Sequence, residues 1–182
     1  NYLIRGSKDL QERFIGNAFM LNEAERERIL KHPTGKYPHT ALTKPFYDKA
    51  KDLDDVTKMQ YIDIHFWLIG DILLKADKMS MANSLEVRVP FLDRVVFDVA
   101  RKVPTEYKVN KENTKFAMRQ AAHRYLPDMV AEKKKLGFPV PIRIWLREEN
   151  YYNMVKEAFH SPAAEEFFKV DEIMKYLDEH KA

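Results

Sequence analysis

Two stretches of this sequence put charge where chemistry could use it. In residues 71–93, DILLKADKMSMANSLEVRVPFLD, the side chains of Asp77, Lys78, Glu86 and Arg88 stand among Leu, Met and Val, and the segment is closed by Pro90 and Asp93. They form either ion pairs that hold a bend, with Arg88 and Asp93 pairing Glu86 or Asp77, or the lining of a site for something polar. A buried, hydrogen-bonded ion pair holds a particular geometry more than it adds net stability. In AEKKKLGFPVP, Lys135 is followed at once by Leu136, Gly137, Phe138 and Pro139, so its ammonium is the lysine of that run expected to turn inward. A compact point charge beside a glycine turn suits a phosphate or pyrophosphate. The bland alternative is a solvated lysine face.

Other chemistries find no residues to carry them. There is no Gly-rich phosphate loop of the GxxxxGK or GxGxxG kind. His32, His39, His65, His123, His160 and His180 show neither HExxH nor paired-ligand spacing, so no metal site is expected. His65 reads as a satisfied core histidine and His123 as one that caps or solvates a helix end. Ser80 and Ser84 have no histidine nearby in sequence, which argues against a nucleophilic triad. The absence of cysteine removes disulfides, thiolate metal sites and cysteine nucleophiles.

The elements that must position these residues are helical. Glycines are few and strand-like alternation is almost absent. The pattern predicts a first amphipathic helix over 8–19, carrying Leu10, Phe14 and Ala18. A short helix follows, started by an Asn22–Glu25 capping box and ending near Lys31. KHPTGKYPHTALTKP, with its three prolines and one glycine, reads as a loop. A long helix is expected from Asp54 to about Lys75. It is apolar on two faces and therefore central and buried, with Gly70 marking close packing against a neighbour. After the 71–93 segment come a helix with Val95, Val96, Val99 and Ala100 inward, and a helix capped by Asn113 or Thr114 and ended by Pro127. A helical turn and a Gly-Pro-Pro loop follow, then two or three small helices broken at Ser161–Pro162. The expected fold class is all-α, and residues 1–182 read as a single helical domain.

The chain has 182 residues, 45% of them apolar, enough for a real core. With 31 basic and 28 acidic residues the net charge is +3, too balanced to advertise a nucleic-acid or membrane surface. No run of about 18 uncharged apolar residues is present to span a bilayer. The opening NYLIRGSKDLQERF lacks an initiator Met and the features of a signal peptide, so the chain is expected to be a piece of something longer.

LLKADKMSMANSLEVRVPFLD, then TKFAMRQAAHRYLP, then KKKLGFPVPIRIWL, closely resemble the C-terminal part of glutamine-hydrolysing asparagine synthetases, firmly over about residues 60–148. The resemblance implies the helical C-terminal portion of an adenylating synthetase domain of the ATP pyrophosphatase type, whose α/β part is missing from this chain. In that family ATP activates aspartate as aspartyl-adenylate, releasing pyrophosphate, and glutamine-derived ammonia displaces AMP. The resemblance implies ATP and Mg2+ as ligands of the full-length enzyme, with none expected on this chain. It implies an N-terminal glutaminase domain as partner, and a cytoplasmic ligase of asparagine biosynthesis.

By position, Lys135 matches the family lysine near the pyrophosphate of ATP, where a fixed cation stabilises the leaving group. Glu86 lies where β-lactam-forming relatives keep a carboxylate that helps activate the attacking amine. Arg88 and Asp77 are expected to support Glu86 and the bend, and Asp93 to begin the next helix. The family's catalytic cysteine, its SGGxDS loop and its GEGxDE-type segment are absent, so this chain alone is expected to be inactive. Alternatives are a β-lactam-forming or peptide-amidating synthetase, or a non-catalytic helical interaction module. A homodimer is left open.

Overall fold

In the computed structural model the described residues are 9–14, 21–33, 38–134, 137 and 140–181. Among them there are helices and turns and no strand; Leu30 and Phe168 form an isolated antiparallel bridge. The chain divides into two compact units, Asn1–Ala18 with Leu42–Lys135, and Phe19–Ala41 with Leu136–Ala182. No helix of the described residues is long and apolar enough to cross a membrane.

The first unit is organised around Leu10, Tyr47 and the fully buried Ile62, with Phe14, Phe46, Met59 and Phe66 packed against them. The first helix covers Leu10–Arg13 rather than the expected 8–19. Phe14 is already extended, and its carbonyl accepts a 2.7 Å hydrogen bond from the Tyr47 hydroxyl instead of continuing the helix; residues 15–20, with Ala18, lie outside the described residues. Burial pushes the Tyr47 hydroxyl up to about 12, so it stays a donor at neutral pH.

The segment expected to be a loop, residues 31–45, holds the first part of the helix His39–Lys49, with Pro45 inside the helix. A proline in a helix interior costs about 3 kcal/mol or more. Here Pro45 is exposed, while Thr43, Tyr47 and Ala50 form a buried stripe at spacings of four and three. That burial offsets the proline. Loop composition alone could not reveal it.

The long helix starts as expected. Asp54 caps it, taking the Thr57 amide and hydroxyl at 3.1 and 2.6 Å. It then runs without a break to Met81, as α-helix over Asp55–Asp63, π-helix over Ile64–Leu73 and α-helix over Leu74–Met81. His65 is satisfied, its Nδ1 lying 2.8 Å from the Tyr61 carbonyl and its ring against Phe46 and Tyr61. The expectation of a helix buried throughout fails: Ile62 is its one buried residue, and the rest are half-buried or exposed. Ile69 and Leu74 are exposed, and a Cβ built on Gly70 meets nothing within 4 Å, so Gly70 serves no close approach in this chain.

Beyond it lie the helices Arg94–Ala100, Thr105–Lys108, Phe116–Ala122 and Asp128–Ala131. Val95, Val96, Val99 and Ala100, expected inward, are exposed. Neither Asn113 nor Thr114 caps Phe116–Ala122; Lys115 is its N-cap residue, without a side-chain hydrogen bond. The Asn110 side chain takes the Glu112 and Asn113 amides first, at 3.0 and 2.7 Å, closing a local turn before the helix starts.

In the second unit the expected Asn22–Glu25 capping box is complete and starts Glu23–Ile29. The helix Glu149–Phe159 precedes the Ser161–Pro162 break and the helices Pro162–Phe167 and Val170–Lys181 follow it, with Ser161 capping Pro162–Phe167. Its core is Ile29, Ile173 and Leu177. Arg28 ties two helices together, donating to the Tyr176 hydroxyl at 2.7 Å and pairing with Glu172 at 3.3 Å.

Candidate functional site

The 71–93 segment builds a pocket from a helix end and the strand-like stretch that folds back along it. After Met81 the helix closes with hydrogen bonds from the Leu85 amide to the Ser80 carbonyl, 2.9 Å, and from the Ser84 amide to the Met81 carbonyl, 3.0 Å. This six-to-one and five-to-two pair ends a helix when the residue between adopts the left-handed conformation. Ser84 does so, with φ of 55°. Glycine usually fills that place because a Cβ costs free energy there. The Asn83 side chain braces the turn on the Met79 carbonyl at 2.9 Å, and the Ser80 hydroxyl donates to the Asp77 carbonyl at 3.2 Å.

The reversal brings Asp77 and Glu86, nine positions apart in sequence, onto one cavity of about 400 Å3, together with Ser80. Leu73, Ala76, Met81, Val87 and Val89 make the rest of the wall. Two carboxylates and a hydroxyl in an otherwise apolar lining can accept hydrogen bonds from an amine or ammonium. They are a poor seat for a bare anion.

Arg88 does not line the cavity; its guanidinium pairs with Glu86 at 2.6 Å. Of the two pairings open for Arg88, the structure forms the one with Glu86, and both side chains are largely exposed. The pair is therefore a surface brace rather than a buried one, because the apolar neighbours Leu85, Val87 and Val89 are themselves exposed in this chain. Asp93 starts the next helix as expected, accepting from the Val95 and Val96 amides at 2.8 and 3.3 Å.

Lys135, with Leu136, Phe138 and Pro139, lies outside the described residues. The segment that leads to it is held firmly. Arg119 donates to the carbonyls of Ala131 and Lys133 at 2.7 and 3.0 Å. His123 sits with Nδ1 2.8 Å from Asp128 and Nε2 2.6 Å from Glu132. Hydrogen bonding to Asp128 first, and to Glu132 next, raises the imidazole above its ordinary value. Sequence reading overlooked Arg119 and left His123 as a helix-end residue. The signal for His123 was there: acids five and nine residues later, across a proline, can reach both ring nitrogens. Nothing in spacing alone marked Arg119.

The comparisons decide the kinship. A model of the asparagine synthase family matches residues 5–182. The chain belongs to the asparagine synthase family. The glutamine-hydrolysing asparagine synthetase 1 of Bacillus subtilis is 46% identical over 180 residues, 99% of this chain and 28% of that protein. A Mycobacterium bovis protein named for the same activity is 42% identical over 179 residues, again 28% of its own length. The Escherichia coli asparagine synthetase B is 32% identical over 91 residues, 49% of this chain. No solved structure matches. The chain thus spans little more than a quarter of the length of these Bacillus subtilis and Mycobacterium bovis relatives.

Proposed function

We propose that the chain is the helical C-terminal portion of the synthetase domain of a glutamine-hydrolysing asparagine synthetase, with its two compact units belonging to that one domain. The observation that carries this reading is 46% identity over 99% of the chain to the Bacillus subtilis synthetase. The parent reaction is activation of the aspartate side-chain carboxylate by ATP, giving aspartyl-adenylate and pyrophosphate. Ammonia released from glutamine by an N-terminal domain of the parent then displaces AMP to give asparagine. Mg2+ enters with ATP as part of the substrate; among the described residues no group of three or more His, Asp or Glu is placed to hold a metal.

In this reading Lys135 faces the pyrophosphate of ATP and stabilises the charge that develops as it leaves. Glu86, in the same pocket as Asp77, accepts a proton or hydrogen bond from the attacking nitrogen, and Arg88 holds Glu86 in place. Asp77 supports the bend. The chain alone lacks the nucleotide-gripping loop, so it carries no synthetase activity by itself. The enzyme works in the cytoplasm.

ATP–pyrophosphate exchange dependent on aspartate, measured on the full-length parent and on this chain, tests the proposal. Exchange by the parent alone supports it, and exchange by this chain would show that the nucleotide site lies within these residues. A parent that ignores aspartate but activates a larger carboxylate belongs with the β-lactam-forming or peptide-amidating relatives. Lys135→Ala in the parent is expected to abolish exchange and leave glutamine hydrolysis intact.

A further inference from the structure

The helix Arg94–Ala100 and the helix Phe116–Ala122 form the two banks of an open trough of about 700 Å3. Phe91, Val95, Val99 and Tyr107 line it beside Met118 and Ala121. A second hollow of about 540 Å3 shares Phe91, Met118 and Ala121 with the first and carries the trough on over Tyr125 and Val130. Much of the apolar lining is turned out to water, Val95 at 71% and Tyr125 at 83% exposure. A continuous apolar surface of this kind marks an interaction site. Among the described residues its charged members are all cations: Lys108 and Lys115 in the first hollow, Lys115, Arg119 and Lys133 in the second.

We infer that this trough seats an amphipathic helix of the parent synthetase that lies outside these residues, with an apolar stripe and carboxylates along its border. The inference rests on the asparagine synthetase reading. Two observations select the occupant. The chain spans 28% of the Bacillus subtilis relative, so most of such a parent is available to cover the face. The charged members of the lining are all basic, so an acidic flank completes it. A second copy docking the same face about a two-fold axis would set the basic members of one trough against those of the other, with no carboxylate in the described lining to pair them. An open apolar groove is also the shape that receives a helix through residues spaced three and four apart.

The experiment places the photo-crosslinking residue p-benzoylphenylalanine at Met118, and separately at Val95, in the full-length parent, and maps the products by mass spectrometry. The expected result is a cross-link within one chain, from either position, to a helix outside these 182 residues that carries acidic side chains. Lys115→Glu should lower its yield severalfold. A cross-link to a second copy, a cross-link confined to these residues, or no cross-link from either position overturns the inference. ATP–pyrophosphate exchange by the unmodified parent is scored separately. Its failure removes the synthetase reading, whereas an intrachain cross-link in that case still upholds the seat.

Discussion

The guanidinium of Arg119 donates to the carbonyl of Lys133 at 3.0 Å while its other terminal nitrogen holds the carbonyl of Ala131 at 2.7 Å. Ala131 is buried and its bond to Arg119 is partly buried, so the fork satisfies a carbonyl with little access to water. It also fixes the last turn before Lys135.

Arg119→Ala strips one buried acceptor of its donor and should lower stability by about 1.5–3 kcal/mol. Arg119→Lys supplies charge but cannot make both bonds in the planar fork, and it should recover less than half of that loss. Denaturant midpoints for the two variants check this. Equal midpoints for Arg119→Lys and the native chain would show that one donor is enough.

His123 predicts a pH dependence. Ionised Asp128 and Glu132 only accept hydrogen bonds, so the ring satisfies both as a donor only when both nitrogens carry protons. Its folded value is raised above the ordinary 6.5. The stabilisation is therefore complete below 6.5 and is lost as pH rises through the raised folded value. Thermal midpoints of the native chain should therefore fall as pH rises above 6.5 and through the raised folded value. His123→Gln should flatten that slope, and an NMR titration of the His123 ring should place its midpoint above that of an exposed histidine. A ring titrating at or below the ordinary value would remove the imidazolium bridge.

Ser84 gives a prediction of unusual sign. Its φ of 55° costs a residue with a Cβ about 1–2 kcal/mol, and glycine brings back about 0.5–1 kcal/mol of chain entropy. Ser84→Gly should therefore stabilise by a few tenths to about 1 kcal/mol, and Ser84→Val should destabilise. Urea unfolding of the three chains ranks them. If Ser84→Gly is the least stable, the left-handed turn at the helix end is not the conformation in solution.

What was legible in the sequence follows from how local each determinant is. The Asn22–Glu25 box, the Asp54 and Asp93 starts and the Ser161–Pro162 break need only a few neighbouring residues, and each is where spacing puts it. The helix through Pro45 was hidden because it depends on burial of Thr43, Tyr47 and Ala50 within the folded unit. The outward Val95 and Val99 were misjudged because periodicity tells which residues share a face, and not whether a layer covers that face. At the site, the 71–93 segment drew attention by its charges. That Asp77 and Glu86 line one cavity depends on the left-handed Ser84, which NS at 83–84 signals only weakly next to a glycine.

The Glu86–Arg88 pair allows folding and catalysis to be separated. Both side chains are largely exposed in this chain, and an exposed pair contributes at most about 1 kcal/mol. Glu86→Gln, Arg88→Ala and Arg88→Lys should therefore leave stability nearly unchanged. In the full-length parent, Glu86→Gln should slow ammonia-dependent asparagine formation about 100-fold, the lower range for loss of a positioned base. ATP–pyrophosphate exchange and glutamine hydrolysis should persist, because in the proposed function the carboxylate acts after adenylation. Arg88→Ala should reduce the same step less, with kcat falling more than KM rises, and Arg88→Lys should restore most of it. Loss of exchange in Glu86→Gln would move Glu86 to the activation half of the reaction. Full activity in both Glu86→Gln and Arg88→Ala would leave the pair with no role beyond bracing the reversal that begins at Ser84.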